Sequence, residues 1–367
     1  MSTRKDKFTT KERYYMNLAF NLAGEVHGLT GENPPVGCLI VNNDEIISIG
    51  QTGHNGRPHA EFNAIKSCKK NLKDSTMYVT LEPCTHYGKT PPCSNLIINS
   101  KIKKVIFSII DFDKRTQAKS FKFFKKKNIK VKSGILEKKG NCLYEAYKIN
   151  KVKNIPFVTG KLAVSKDNFI FSTKRKKITN KHSDKITHLL RYKNDSIMIS
   201  SKTLNSDNPK LNCRLNGLTN FSPKRIILDK NLSISIKSYI FLTSKNNNTV
   251  IFFNKGNKNK IKLLKRKGIK LIHTSVNKDN LFDLKYILKK VFSLGCRNLL
   301  VEGGKTLTNN FLKSKLYNQF YLFKSPINLG SHGRLNVSNQ LKRINFIYKN
   351  KSIINSFTGK DVVRIYS

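Results

Sequence analysis

Leu81-Glu82-Pro83-Cys84-Thr85-His86-Tyr87-Gly88-Lys89-Thr90-Pro91-Pro92-Cys93 joins the end of a strand to the start of a helix through a proline-bounded loop with a cysteine at each end. Upstream, Met77–Leu81 reads as that strand, and Pro58-His59-Ala60-Glu61 opens a helix expected from about His59 to Lys69. One imidazole and two thiolates are a donor set that zinc takes tetrahedrally. Three protein ligands leave the fourth position for water, as in a catalytic site rather than a closed structural one. Helix starts favour an anionic thiolate and so ease metal binding. His59, Cys84 and Cys93 are therefore the expected ligands of one Zn2+ per chain. Glu61 stands two residues beyond the histidine, where it can face the bound water without occupying the metal. Such a centre activates water for attack on a ring carbon that bears an exocyclic amine, with the carboxyl moving the proton to ring nitrogen and on to departing ammonia. A lone His-x-Glu at a helix start is a common accident and a lone buried cysteine is usually packing. The ordered combination carries the reading. Cys38, Cys68, Cys142, Cys213 and Cys296 lack ligand spacing and read as small core residues. His54 and His86 stand near the motifs but read as loop residues.

Working outward, Thr9 and Glu12 form a capping box before Met16, Ala19, Phe20 and Ala23, which recur at helical spacing. Val36–Val41 and Ile46–Ile49 flank Asn42-Asn43-Asp44 as a hairpin. After the helix opened by Cys93 come the strand Val105–Ile109, a helix near Phe121 and the strand Ile129–Val131. The order α-β-β-α-β-α-β-α-β implies a sheet with helices on both faces. A Lys- and Asn-rich joint, Lys148–Pro156, separates this from a second α/β run. Its strands are expected at Phe157–Val164, Ser196–Ser200, Arg225–Leu228, Val250–Phe253, Lys270–Ile272, Asn298–Val301, Phe320–Phe323 and Val362–Tyr366. Helices are expected at His182–Tyr192 and near Lys260 and Leu284. The tracts Lys245–Thr249 and Lys255–Lys262 read as solvated loops or helix ends.

A chain of 367 residues suits two domains, each with its own core. Met1–Lys11 has no apolar core and does not read as a signal peptide, and no apolar run is long enough to span a bilayer. Seven cysteines, an odd number without a secretion signal, argue for reduced thiols. A cytoplasmic protein without a membrane partner is expected. Seventy Lys and Arg against 22 Asp and Glu give a net charge of +48, which would ordinarily suggest nucleic acid. Here Lys, Asn and Ile are over-used in helices, strands and loops alike, as in the product of an AT-rich gene. Non-specific adhesion to RNA is expected from that charge, and a specific nucleic-acid partner is not.

The general signature of zinc nucleobase deaminases places two residues between its cysteines, whereas eight intervene here. With that gap, with Asn33-Pro34-Pro35-Val36-Gly37-Cys38 upstream and with residues 81–93 as quoted, the chain closely resembles the bifunctional pyrimidine deaminase/reductase family of riboflavin biosynthesis. The resemblance implies a cytidine-deaminase-like three-layer α/β/α domain over residues 1–150. A dihydrofolate-reductase-like α/β domain is implied over residues 151–367. The first would hydrolytically deaminate 2,5-diamino-6-(5-phosphoribosylamino)pyrimidin-4(3H)-one; the second would reduce the ribosyl group to ribityl with NADPH. Asn33 matches a residue of the family's pyrimidine pocket. A phosphoribosyl-pyrimidine partner and a homo-oligomer are expected.

In the second half the firmest feature is Leu299-Leu300-Val301-Glu302-Gly303-Gly304-Lys305-Thr306, a strand, a glycine pair and a helix start whose amides can approach a pyrophosphate. Lys161-Leu162-Ala163-Val164-Ser165, Leu189-Leu190-Arg191, Lys202–Pro209 and Leu211-Asn212-Cys213-Arg214 match further family motifs in order. By that match Ala163, Thr203, Asp207 and Gly304, Lys305, Thr306, Leu307, Thr308, Asn309 and Asn310 would contact NADPH, and Arg191, Leu211, Arg214 and Glu302 the substrate. An arginine fork suits a phosphate ester. The chain departs from the family's Ser-Leu-Asp-Gly at Ser165-Lys166-Asp167-Asn168, from its Trp-Ile-Thr at Lys177-Ile178-Thr179, and from a serine at Arg175. It also reads Asp111-Phe112-Asp113-Lys114, continuing to Lys119-Ser120, where the family usually has Asp-Pro-Asn-Pro and closing glycines. Two alternatives follow: a deaminase of tRNA or other nucleobases, suggested by the charge, and a deaminase with a decayed reductase, suggested by these departures.

Overall fold

The computed structural model describes residues 7–175, 177–245 and 248–367. The first six residues of the N-terminal reading, and Asn246 and Asn247 of one Lys-Asn tract, lie outside them. The chain forms two compact units, Met1–Asn154 and Ile155–Ser367.

In the first unit, helix α1 (Thr10–Glu25) starts at the expected capping box, with the Thr9 hydroxyl accepting from the Glu12 amide and the Glu12 carboxylate from the Thr9 amide. Strands β1 (Gly37–Asn42) and β2 (Glu45–Gln51) form the hairpin, followed by α2 (Ala60–Ser67), β3 (Thr76–Leu81) and α3 (Cys93–Asn99). Then come β4 (Lys104–Ile109), α4 (Lys119–Lys125), β5 (Lys130–Ser133), α5 (Glu137–Leu143) and α6 (Glu145–Lys153). The sheet order is β2-β1-β3-β4-β5, antiparallel through β3 and parallel beyond. Its central strands are buried along nearly their whole length, because helices cover both faces. One core packs Val79, Ile97, Phe107 and Phe124, the other Met16, Phe20, Leu39 and Ile106. At Gly50 an added Cβ would lie 2.3 Å from the Ala60 carbonyl oxygen, so α2 crosses the sheet at backbone contact and a side chain there would lift it away.

The joint expected over Lys148–Pro156 is instead helical as far as Lys153, and the chain turns at Asn154 with φ 54°. The lysines of α6 misled because its apolar face is short: Tyr147 and Ile149 are buried while Val152 is exposed.

The second unit contains β6 (Phe157–Val164), β7 (Phe169–Ser172), α7 (Lys181–Lys193), β8 (Ser196–Ser200), α8 (Ser201–Asp207), β9 (Lys224–Leu228), α9 (Tyr239–Leu242) and β10 (Thr249–Phe253). It continues through α10 (Lys258–Arg266), β11 (Ile269–His273), α11 (Leu284–Ser293), β12 (Asn298–Val301), α12 (Lys305–Lys313) and β13 (Gln319–Lys324). It closes with β14 (Gly333–Asn336), α13 (Ser338–Ile347), β15 (Lys351–Ile354) and β16 (Val362–Tyr366). Nine strands order as β11-β10-β9-β8-β12-β6-β13-β16-β15. The seven from β11 to β13 run parallel, and β16 and β15 add antiparallel at one edge. A small ribbon, β7 with β14, escaped the sequence reading because its strands are four residues long and half exposed. No helix among the described residues is long and apolar enough to cross a membrane.

Candidate active site

His59 is the N-cap of α2 and makes no side-chain capping bond, which leaves its imidazole free. Cys84 follows the buried end of β3, and Cys93 is the first residue of α3, its amide donating to the Cys84 sulfur at 3.3 Å. His59 Nδ1 lies 3.7 Å from Cys84 Sγ and 3.4 Å from Cys93 Sγ, and the three donor atoms all fall within 4.8 Å of one another. Ligands at the corners of a zinc tetrahedron, with Zn–S about 2.3 Å and Zn–N about 2.0 Å, stand about 3.5–3.8 Å apart. Donor chemistry and spacing fit zinc. The Cys84 thiol is pulled down to about 4 by the hydrogen bond from the Cys93 thiol and by His59. That makes Cys84 the anionic partner and raises the His59 imidazole. Glu61, in the first turn of α2, is 4% exposed, and burial lifts its carboxyl to about 7 against the opposing pull of His59.

Several further residues support the site. Arg57 Nη1 donates to Thr90 Oγ1, tying the loop before His59 to the loop before Cys93. Buried Glu82 accepts from the amides of Asp111, Ala118 and Ser120 at 3.0–3.1 Å, so one carboxylate organises the segment in which this chain departs from the family. Within that segment Asp113 accepts from Arg115 and Lys151, and Thr116 meets His86 Nδ1 at 2.9 Å. Asn33 donates to the Gly56 carbonyl at 2.8 Å. Gly56, at φ 88°, has no room for a Cβ, which would come within 2.7 Å of Asn33.

In the second unit, β8, β12 and β6 are neighbours and end on the same side, bringing together the residues the motifs singled out. Gly304 caps α12, and a Cβ there would meet only Thr203 Oγ1 at 3.5 Å, so the helix start lies beside the first turn of α8 without crowding. That cradle fits a pyrophosphate. Asp207 lies one turn beyond Thr203 on α8. Leu307 and Thr308 are buried in the core, with the Thr308 hydroxyl given to the Gly303 carbonyl, so their side chains face away from the cradle. The Arg191 fork, expected on a phosphate, is closed on Glu302, Nε to Oε1 at 2.7 Å and Nη2 to Oε2 at 2.8 Å, and Nη1 reaches the Asn212 carbonyl. Arg214 is the exposed guanidinium, and the Leu211 side chain is buried, which leaves its backbone for a ligand. Lys161 opens the first of the matched reductase motifs, which gives it no role of its own. Burial lowers its pKa, and the Glu302 carboxylate acts against that shift. Of the departures, Asn168 adopts φ 67°, a left-handed conformation that favours glycine and that asparagine tolerates. Asp167 holds the same turn by accepting from Ser165 Oγ and the amides of Leu329 and Gly330. Lys177 pairs with Asp184 and provides no aromatic wall.

Residues 9–109 match the cytidine and deoxycytidylate deaminase zinc-binding region, and residues 156–353 match the RibD C-terminal domain. The riboflavin biosynthesis protein RibD of Aquifex aeolicus is 32% identical over 90% of this chain and 93% of its own. Acinetobacter baumannii RibD superposes with a TM-score of 0.83 at 25% identity, over 97% of this chain and 98% of that one. The Thermotoga maritima diaminohydroxyphosphoribosylaminopyrimidine deaminase/5-amino-6-(5-phosphoribosylamino)uracil reductase does so with a TM-score of 0.81 at 28% identity and the same coverage. A deaminase acting on tRNA would have no use for the second match. A deaminase unit and a reductase unit in one chain, aligned over nearly their whole length with these relatives, place the chain in the RibD family of bifunctional riboflavin-biosynthesis enzymes.

Proposed function

We propose that the first unit hydrolytically deaminates 2,5-diamino-6-(5-phosphoribosylamino)pyrimidin-4(3H)-one and that the second reduces the ribosyl group of its product to ribityl with NADPH. The convergence of His59 Nδ1, Cys84 Sγ and Cys93 Sγ beside buried Glu61 carries the first half of this reading. Those three side chains would hold one zinc ion, which supplies Lewis acidity and a water of near-neutral pKa. Glu61 Oε takes a proton from water and gives it to the ring nitrogen, then takes the proton of the added hydroxyl and gives it to the amine, which leaves as ammonia when the C–N bond breaks. A carboxyl whose pKa lies near 7 exchanges a proton in both directions at neutral pH. Asn33, oriented by the Gly56 carbonyl, holds its amide oxygen toward the pyrimidine.

For the reductase, NADPH supplies the hydride. The amides opening α12, together with Ala163, Thr203 and Asp207, support a pyrophosphate-bearing cofactor. Arg214 and the Leu211 backbone support a phosphoribosyl substrate beside it. Glu302, fixed by Arg191 and facing Lys161, is placed to orient the open-chain sugar, for which positioning is most of the task. The geometry of Asn168 favours a working reductase over a decayed one. The deciding measurement supplies the diaminopyrimidine phosphoribose with and without NADPH and follows ammonia and nicotinamide absorbance separately. Ammonia without NADPH, and oxidation only with it, is the expected result; ammonia release with no oxidation would leave the deaminase alone.

A further inference from the structure

Arg225, the second residue of β9, is 6% exposed, yet it meets no carboxylate among the described residues. Its Nη1 donates to Thr243 Oγ1 at 2.8 Å and its Nη2 to the Thr243 carbonyl at 3.2 Å. Capping α9 in this way uses two of the five N–H donors of a guanidinium, and no other partner is present among the described residues. The contrast with Arg191, equally buried but paired in bidentate fashion with Glu302, is direct. A buried cation without a counter-ion is costly. Burial pulls the Arg225 pKa down, with only the Tyr239 phenol acting against it, but a guanidinium keeps its charge in a protein.

Arg225 lines a cleft of about 410 Å³ together with Lys210, Leu211, Asn212, Lys224, Tyr239 and Asn248, so the cleft adjoins the loop whose Leu211 backbone and Arg214 are proposed to hold the substrate. Its lining contains no carboxylate, and the Lys210 ammonium stands 5.4 Å from the Tyr239 ring centroid. The cleft lies where parallel strands β9 and β10 begin, whereas the Gly303-Gly304 turn lies where β12 ends, so the two occupy different edges of one sheet. We propose that this cleft is a second ligand site, which takes a small organic phosphomonoester with its phosphate on Arg225 and its apolar part on Tyr239. Arginine suits phosphate through its planar fork, and the volume is in the range of small-molecule sites, above what inorganic phosphate fills. The segment Lys210–Asn212 runs on into Arg214, so an occupant bears directly on the loop proposed to hold the substrate.

The test follows the thermal unfolding of the full chain with inorganic phosphate and with adenosine 5′-monophosphate, at ionic strength held constant with chloride. Wild type and Arg214→Gln should show a saturable rise in Tm, with adenosine monophosphate saturating at lower concentration. Arg225→Gln should lose most of that rise, while Lys289→Gln, an equal charge change at an exposed position of α11, should keep it. Loss of the rise in Arg214→Gln would assign the phosphate to the substrate site and overturn the proposal. An equal response in Arg225→Gln and Lys289→Gln would overturn it as well. Should Arg225→Gln fail to fold, the double variant Lys210→Gln/Lys224→Gln keeps the guanidinium and decides the matter: a weakened response supports the site, and an unchanged one removes it.

Discussion

Glu61 combines burial with a reason to keep its proton in play, and that combination makes its substitution informative. Glu61→Gln should retain zinc by atomic absorption while deamination falls by about 10²–10⁴-fold, the usual weight of a proton-transferring group. Cys84→Ser should lose metal and lower Tm together, because metal affinity and the stability of the loop are linked. These residues were legible because zinc restricts donor types and their number, and because His-x-Glu and Cys93 each sit at a helix start while Cys84 follows a strand end. Glu82, Arg57 and Lys161 were not legible. Each acts through a partner distant in sequence: Glu82 through amides near residue 115, Arg57 through Thr90, and Lys161 through Glu302. A carboxylate or an ammonium has no intrinsic mark that tells buried from solvated.

Among the elements, the segment from Asp111 to Ser120 departs from its family in sequence but is held by anchors of its own. Arg115, with Lys151, keeps the Asp113 carboxyl well below the usual carboxylate range. A depressed folded-state value gives stability that is present above the unfolded pKa, about 3.9, and is lost as pH falls toward the folded value. Asp113→Asn should therefore cost about 1 kcal/mol near pH 7 by chemical denaturation, and the gap to wild type should close in strong acid. At the start of α12, Gly304→Ala has room, since its Cβ would meet only Thr203 Oγ1. The variant should fold with a small drop in Tm, since alanine caps a helix less well than glycine, yet raise the KM for NADPH several-fold, because the methyl enters the space a pyrophosphate would take. Regular elements with long apolar faces were readable from periodicity. Helix α6 and the β7–β14 ribbon were not, since a short or half-exposed element leaves too few apolar positions to set a period.

For the molecule as a whole, two units with separate cores imply two separable activities. Chelation of zinc should abolish ammonia release while leaving NADPH oxidation intact when the deaminated intermediate is supplied; parallel loss of both would show that metal holds the entire chain together. The charge of +48 should give RNA adhesion that weakens steeply with salt and ignores sequence, checked by filter binding across a salt series. What the sequence determined by itself was the chemistry that covalent order dictates: which atoms can ligate, which strands alternate with which helices, and which motifs follow one another. Tertiary structure alone decided that the Arg191 fork closes on Glu302, that Asn168 takes up a left-handed turn, and that Arg225 is buried with no acid beside it among the described residues. Each depends on distances between residues far apart in the chain, and on whether water reaches them, which local pattern does not encode.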